Sequence, residues 1–345
     1  GGLEHRVLDL VADRDARALD KADGVQFRHP RRSCFSSSST GRAAEKLDYH
    51  PYHAARALQG RGSRVIGVLV PDLAYSYFPD IVHGIETAAD EAGYHVLLCQ
   101  THYKEEEEAR RIALLRQHRV DGLIMFPIAF RHHSRDVFVR LRRSRVPLVC
   151  VDAPLPGFET DFVGTDDRHG AATAVRHLTR LGHRRSACGA FGDDSAIRQA
   201  RLRGYHEALT RVHVHPSPDW VVPGPWKLTA PGDELIARVA GPGGCTAVFA
   251  MSDLLAVWAY LVLRRAGYTV PRDISLAGFG GLHEGEWLET PLTTVRQDRE
   301  GMGRAAVRML LERAAHRDSP VQRLLLKPEL AVNATTAPLP RARMA

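Results

Sequence analysis

From residue 64 onward, apolar runs of strand length alternate with segments of helical period, joined by short turns. RVIGVLVPDL is followed by FPDIVHGIETAADEAGY, where Ile81, Ile85, Ala88 and Ala89 recur at helical spacing and Gly93 ends the run. YHVLLCQ, EEEEARRIALLRQH, DGLIMFP, VFVRLRRS and VPLVCVD continue the same rhythm. Such alternation favours a parallel sheet with helices covering both faces.

The rhythm restarts after the loop APLPGFETD, through FVGTD, GAATAVRHLTRLGH, SACGAFG, RLRGYHEALTR, CTAVFA, LLAVWAYLVLRRAGY and DISLAGF. The expected fold is therefore α/β, with two doubly wound, Rossmann-like lobes. Lobe one is expected over about residues 64–160 plus 295–322, and lobe two over about 161–294 plus 323–340. Two such lobes facing each other make a cleft at the carboxyl ends of their strands, where sheets of this kind hold small ligands.

Composition narrows the function classes. The chain has 345 residues, 44% hydrophobic and 25% charged, with no apolar stretch near the roughly 20 residues of a membrane span. The stretch GGLEHRVLDLVADRD is charged throughout, unlike a secretory signal, so the expected location is the cytoplasm. Cys34, Cys99, Cys150, Cys188 and Cys245 contain no C-x-x-C pair and read as reduced thiols. The net charge of +7 hints at an anionic partner, but only five of 47 basic residues are lysine, so an arginine-rich coding composition explains it as well. No G-x-S-x-G, G-x-x-x-x-G-K-[ST] or H-E-x-x-H occurs. The pairs His132 with His133 and His213 with His215 lie in polar stretches and read as solvated. No catalytic residue, metal site or cofactor is expected.

Several segments together resemble the lactose-repressor/galactose-repressor family of bacterial transcription regulators: AAEKLDYHPYHAARALQG, IVHGIETAADEAGYHVLLCQT, RVDGLIMFP, VPLVCVD, AVRHLTRLGHRR, ARLRGYHEAL, TAVFAMSD, PRDISLAGFG and PLTTVRQD. They occur in the family's order across roughly residues 42–335. The resemblance implies a periplasmic-binding-protein-like core over 64–340, a DNA-binding headpiece over 1–48 and a hinge helix over 49–63. It also implies a homodimer that pairs two hinges on operator DNA. In the hinge, Tyr52, Ala55 and Leu58 are the expected DNA-contacting residues. Leu58 is the apolar wedge between base steps, while Ala54 and Ala55 permit close approach.

The headpiece departs from the family. VLDLVADRDARALDKADGVQF has only Leu8, Val11 and Ala12 in register with the usual helix-turn-helix opening, and the Thr-Val-Ser-Arg recognition helix is missing. Residues 1–24 hold four basic and six acidic side chains, unfavourable beside phosphates, whereas residues 28–61 hold seven basic and two acidic ones. A decayed headpiece, a very divergent one and a local reading-frame error all fit this text.

The resemblance also supplies expected effector contacts: Tyr77, Phe78, Asp152, Arg201, Trp226, Ser252 and Asp253. Tyr77, Phe78 and Trp226 suit the apolar faces of a sugar ring. Arg201 offers a fork of donors to hydroxyls or a carboxylate. Asp253 is also placed to cap the helix that it begins. The family usually follows strand DISLAGF with aspartates, but here Gly280 and Gly281 stand there. That loss makes an anionic sugar acid a candidate beside a neutral sugar, with His283 and Glu284 as partial substitutes. The alternative reading is a cytoplasmic sugar sensor without specific DNA binding.

Overall fold

The computed structural model describes residues 62–127, 138, 139, 141, 143, 145–155, 157–193, 195–224, 231–240 and 243–340. The headpiece, the hinge residues Tyr52, Ala55 and Leu58, and Trp226 lie outside the described residues.

Two six-stranded sheets carry the core. In the first, the order is β11(Arg323–Leu326), β5(Asp161–Thr165), β4(Leu148–Val151), β3(Gly122–Met125), β1(Val65–Val70) and β2(His95–Gln100), every pair parallel. In the second, the order is β12(Glu329–Ala331), β10(Thr293–Arg296), β9(Ser275–Gly280), β8(Ala247–Ala250), β6(Ser186–Ala190) and β7(Val221–Pro223), parallel except for the β10–β12 pair. The central strands are buried along their length, as expected of strands covered on both faces.

The helices follow the expected rhythm: α1(Tyr77–Glu91), α2(Glu105–Gln117), α3(Asp167–Arg180), α4(Ala196–Thr210), α5(Asp233–Val239), α6(Asp253–Arg265), the single turn α7(His283–Glu286) and α8(Arg299–Ala315). Several are started by side-chain caps. Asp166 accepts from the His169 amide, Ser195 from Arg198 and Asp298 from Gly301. Small residues set the helix pairs. Gly84 of α1 and Gly303 of α8 face one another's backbones so closely that a Cβ at either would collide. Gly204 of α4 abuts α3 at Arg168 in the same way.

The strand pairing corrects the expected lobe boundary. The alternating pattern places residues 161–165 at the start of lobe two, yet β5 pairs with β4, and Asp161 is held by Arg313 of α8 at 2.7 and 2.8 Å. The loop before β5 is a crossover within the first sheet, because Leu155 and Phe158 pack into that sheet's core. The stretch after 323 likewise splits. Pro328, which has no amide hydrogen, separates β11 in the first sheet from β12 in the second. The chain thus crosses between the sheets at 165–167, 296–299 and 326–329.

Candidate functional site

The main cavity, about 640 Å³, lies where β1, β3 and β4 of one sheet and β8 and β9 of the other run out at their carboxyl ends. That is the position expected for an α/β ligand site, and the volume is in the usual range. Among the described residues a second cavity, about 570 Å³, lies along α3 and α4. Its lining is mostly polar and charged, with Arg168 on Glu207 at 2.6 Å, and it holds Phe162 in place of the several aromatic rings of the first.

One wall of the main cavity is aromatic. The Tyr75 and Phe78 rings meet edge to face at 5.6 Å, Tyr77 and Phe78 at 5.4 Å, and Phe78 and Phe126 at 5.3 Å. The Tyr77 hydroxyl donates to Asp152 Oδ1 at 2.5 Å and accepts from Gln297 Nε2 at 3.3 Å. Burial, then the neighbouring Asp152, pushes the Tyr77 hydroxyl well up, so it stays a donor. Tyr103 is pushed up to about 12 by burial, with Asp72 and Asp152 adding to it. Asp152 sits just past β4 at a left-handed φ of 71°, which turns its carboxylate into the cavity. Burial raises its carboxyl, while Tyr77 and Arg201 pull it back.

Arg201 lines the opposite side, only 5% exposed. Its Nε donates to Asp167 Oδ1 at 2.8 Å and Nη2 reaches the same oxygen at 2.7 Å, while Nη1 donates to the Met251 carbonyl. The guanidinium stacks on Phe279 at 3.7 Å. Arg201 is therefore a cavity residue whose charge is already matched inside the protein. Burial pushes Asp167 up to about 6, with Arg201 opposing.

Two sequence expectations change here. Asp253 is fully buried but does not line the cavity. Its Oδ2 accepts from the Leu282 amide at 2.7 Å and its Oδ1 from the Thr294 hydroxyl, so both oxygens are committed to holding α7 and β10. Burial pushes its carboxyl up to about 6, with these hydrogen bonds opposing. Nor does Asp253 cap α6. Ser252 does, accepting from the Leu255 amide at 3.2 Å, while also lining the cavity. Tyr77, Phe78, Asp152, Arg201 and Ser252 are thus gathered around one space, and Asp253 is not.

Gly280 and Gly281 stand where the strand-end aspartates are missing, and a Cβ at Gly281 would come within 2.8 Å of Arg296 Cγ. Their φ angles are 143° and 71°, and their carbonyls accept from Arg299. A carboxylate returns from α7. Glu284 reaches the cavity, and its Oε1 accepts from the Ser76 hydroxyl of the facing wall at 2.6 Å. Tyr75, Tyr103, Asp72 and Asp193 also line the cavity, and nothing in the sequence analysis points to them. The only available signal for Tyr75 was its spacing in YSYF, one polar residue before Tyr77.

A family model described as a periplasmic binding protein-like domain matches residues 175–336. The chain is 30% identical over 296 residues to the HTH-type transcriptional repressor PurR of Haemophilus influenzae, covering 84% of this chain and 86% of that protein. A LacI family transcriptional regulator from Enterococcus faecium with bound ribose is similar in structure at TM-score 0.69 and 26% identity, over 80% of this chain and 100% of that one. The transcriptional regulator CelR in complex with cellobiose is similar at TM-score 0.70 and 27% identity, over 93% and 94% of the two chains.

Proposed function

Because the chain belongs to the lactose-repressor/galactose-repressor family of transcription regulators, we propose that it is a bacterial repressor whose cleft binds a sugar and relays occupancy to operator DNA through residues 49–63. The observation that carries this reading is the cavity itself. Aromatic faces stand on one side, hydrogen-bonding groups converge from both sheets, and Gln297 lies on a connection between the sheets while bonding Tyr77 at 3.3 Å and Thr165 at 2.8 Å. A ligand that prefers one separation of the sheets shifts the population toward it. That is the leverage an effector needs on a hinge.

The relatives bound to ribose and cellobiose support a hydroxylated ring as ligand. The sugar-acid option loses ground, since Asp72, Asp152, Asp193 and Glu284 already line the cavity. Similarity to a named transcription regulator and a named repressor supports a non-enzymatic role on DNA; a cytoplasmic homodimer that pairs two hinges belongs to the same reading. Among the described residues, no helix is long and apolar enough to cross a membrane.

The acidic balance of residues 1–24 favours one second reading, a sugar sensor without specific operator binding. A mobility-shift assay with the full chain and DNA from its own promoter region, with and without ribose and cellobiose, separates the two. Sequence-specific retardation that changes with sugar supports the repressor. Salt-sensitive, sequence-independent retardation alongside intact sugar binding supports the sensor.

A further inference from the structure

Resting on the reading of the cleft as the effector site, we propose that its ligand carries a primary amine, an amino sugar being the class that also suits the aromatic wall. The charge of the lining is the first reason. Asp72, Asp152, Asp193 and Glu284 face the cavity, and the single cation among the described lining residues, Arg201, is matched by Asp167 at 2.7 Å. Removing that neutral pair leaves, among the described lining residues, four acidic side chains and no further cation. Two of the acids are held in place by their own turns: Asp72 Oδ1 accepts from the Ala74 amide at 2.9 Å, and Asp193 Oδ1 from the Ser195 amide at 3.2 Å. An anionic ligand meets repulsion from every side here, and an ammonium meets attraction.

Glu284 is the second reason. Ser76 satisfies Oε1 at 2.6 Å, but Oε2 is enclosed and has no hydrogen-bond partner among the described residues. A carboxylate oxygen withdrawn from water without a donor is costly, so a ligand donor that draws Oε2 out toward the cavity relieves that cost. A ligand hydroxyl supplies one donor, whereas an ammonium supplies three donors and a charge, and charge-assisted bonds are about twice as strong. The aromatic rings add to the same preference, because a cation over a ring face is attracted by its quadrupole. Arg201 over Phe279 at 3.7 Å already uses that interaction in this cavity. Burial also raises the Asp152 carboxyl, and a nearby ammonium relieves that cost as Arg201 does in part.

Calorimetry of the full chain against glucosamine, a deacetylated chitosan dimer, glucose, cellobiose and gluconate tests this. At neutral pH an amine is expected to bind about tenfold or more tightly than its neutral counterpart, with gluconate weakest. Glu284→Gln, which keeps the shape and removes the charge, is expected to shrink the amine-to-neutral ratio by about tenfold. N-acetylglucosamine serves as a second probe, because acetylation removes the charge from the ligand side and is expected to have the same effect. Binding of glucose or cellobiose as tight as that of the amines overturns the amine inference and leaves the sugar-effector reading standing. Failure of the whole panel overturns both, and an unchanged ratio in Glu284→Gln removes Glu284 from the site.

Discussion

Two arginines are buried at the meeting of the sheets, and they do different work with similar means. Arg201 is 5% exposed and pairs with Asp167; Arg299 is 9% exposed and pairs with Asp80 at 2.6 Å. Arg201 and its partner are both deeply enclosed, with side chains 6% and 9% exposed, and the guanidinium stands against the ligand cavity. Arg299 has a partner that is 41% exposed, and it spends its other donors on the carbonyls of Gly280 and Gly281 at the end of β9. One arginine is a wall of the site; the other fastens α8 and α1 to the second sheet. Burial of a charge therefore does not identify a ligand contact. The cavity in front of it does.

The sharpest way to break this distinction is Arg201→Ala. It strands Asp167 in a dry environment, so the expected loss of unfolding free energy is about 3–5 kcal/mol, before any ligand is considered. Urea denaturation measures it, and adding Asp167→Ala to Arg201→Ala is expected to recover part of the loss, since the stranded charge is gone. A loss in affinity for Arg201→Ala is consequently poor evidence of ligand contact unless stability is measured beside it.

A second, somewhat smaller effect lies beside Arg299, at Asp253. Its folded pKa near 6 stands above the unfolded 3.8, so the folded state holds the proton more tightly. Its contribution to stability is therefore greatest below the unfolded value and is lost as pH rises toward 6. Asn at position 253 does not titrate, so Asp253→Asn is expected to gain on the native chain across that window by up to about 3 kcal/mol. His177 and His183, both lowered by burial, act in the opposite sense below 6.5 but cancel in the difference between the two curves. A flat difference contradicts the burial of an ionisable Asp253.

Arg299→Ala is expected to cost least, about 1–2 kcal/mol, because Asp80 rehydrates at the surface. Its signature is the loss of the contacts to Gly280 and Gly281, which hydrogen exchange at the following amides reports. A cost equal to that of Arg201→Ala erases the difference between the two sites.

Much of this was legible in the sequence. Alternating periods gave the α/β class, and the motif order gave the cleft with Tyr77, Phe78, Asp152, Arg201 and Ser252 around it. Three things were not legible, each for a physical reason. The Pro- and Gly-containing loop before β5 resembled a linker, because pattern does not reveal that Leu155 is buried. Asp253 looked like a cap or a ligand contact, because a helix-start carboxylate fits either, and only the Leu282 amide and Thr294 hydroxyl decide where it points. The pairing of Arg201 with Asp167 spans 34 positions, and no local spacing announces it.

The central claim is that the aromatic cleft is the effector site, and Tyr75 tests it more directly than any charged residue. Tyr75 lines the cavity against Phe78, whereas Trp287, just beyond α7, is 77% exposed and outside it. Calorimetry of Tyr75→Ala and Trp287→Ala, using whichever probe of the sugar panel binds the native chain most tightly, compares a wall of the cleft with a surface ring. The account expects Tyr75→Ala to weaken binding by about tenfold, with folding retained, and Trp287→Ala to leave it unchanged. Unchanged binding in Tyr75→Ala, or a loss confined to Trp287→Ala, would contradict it.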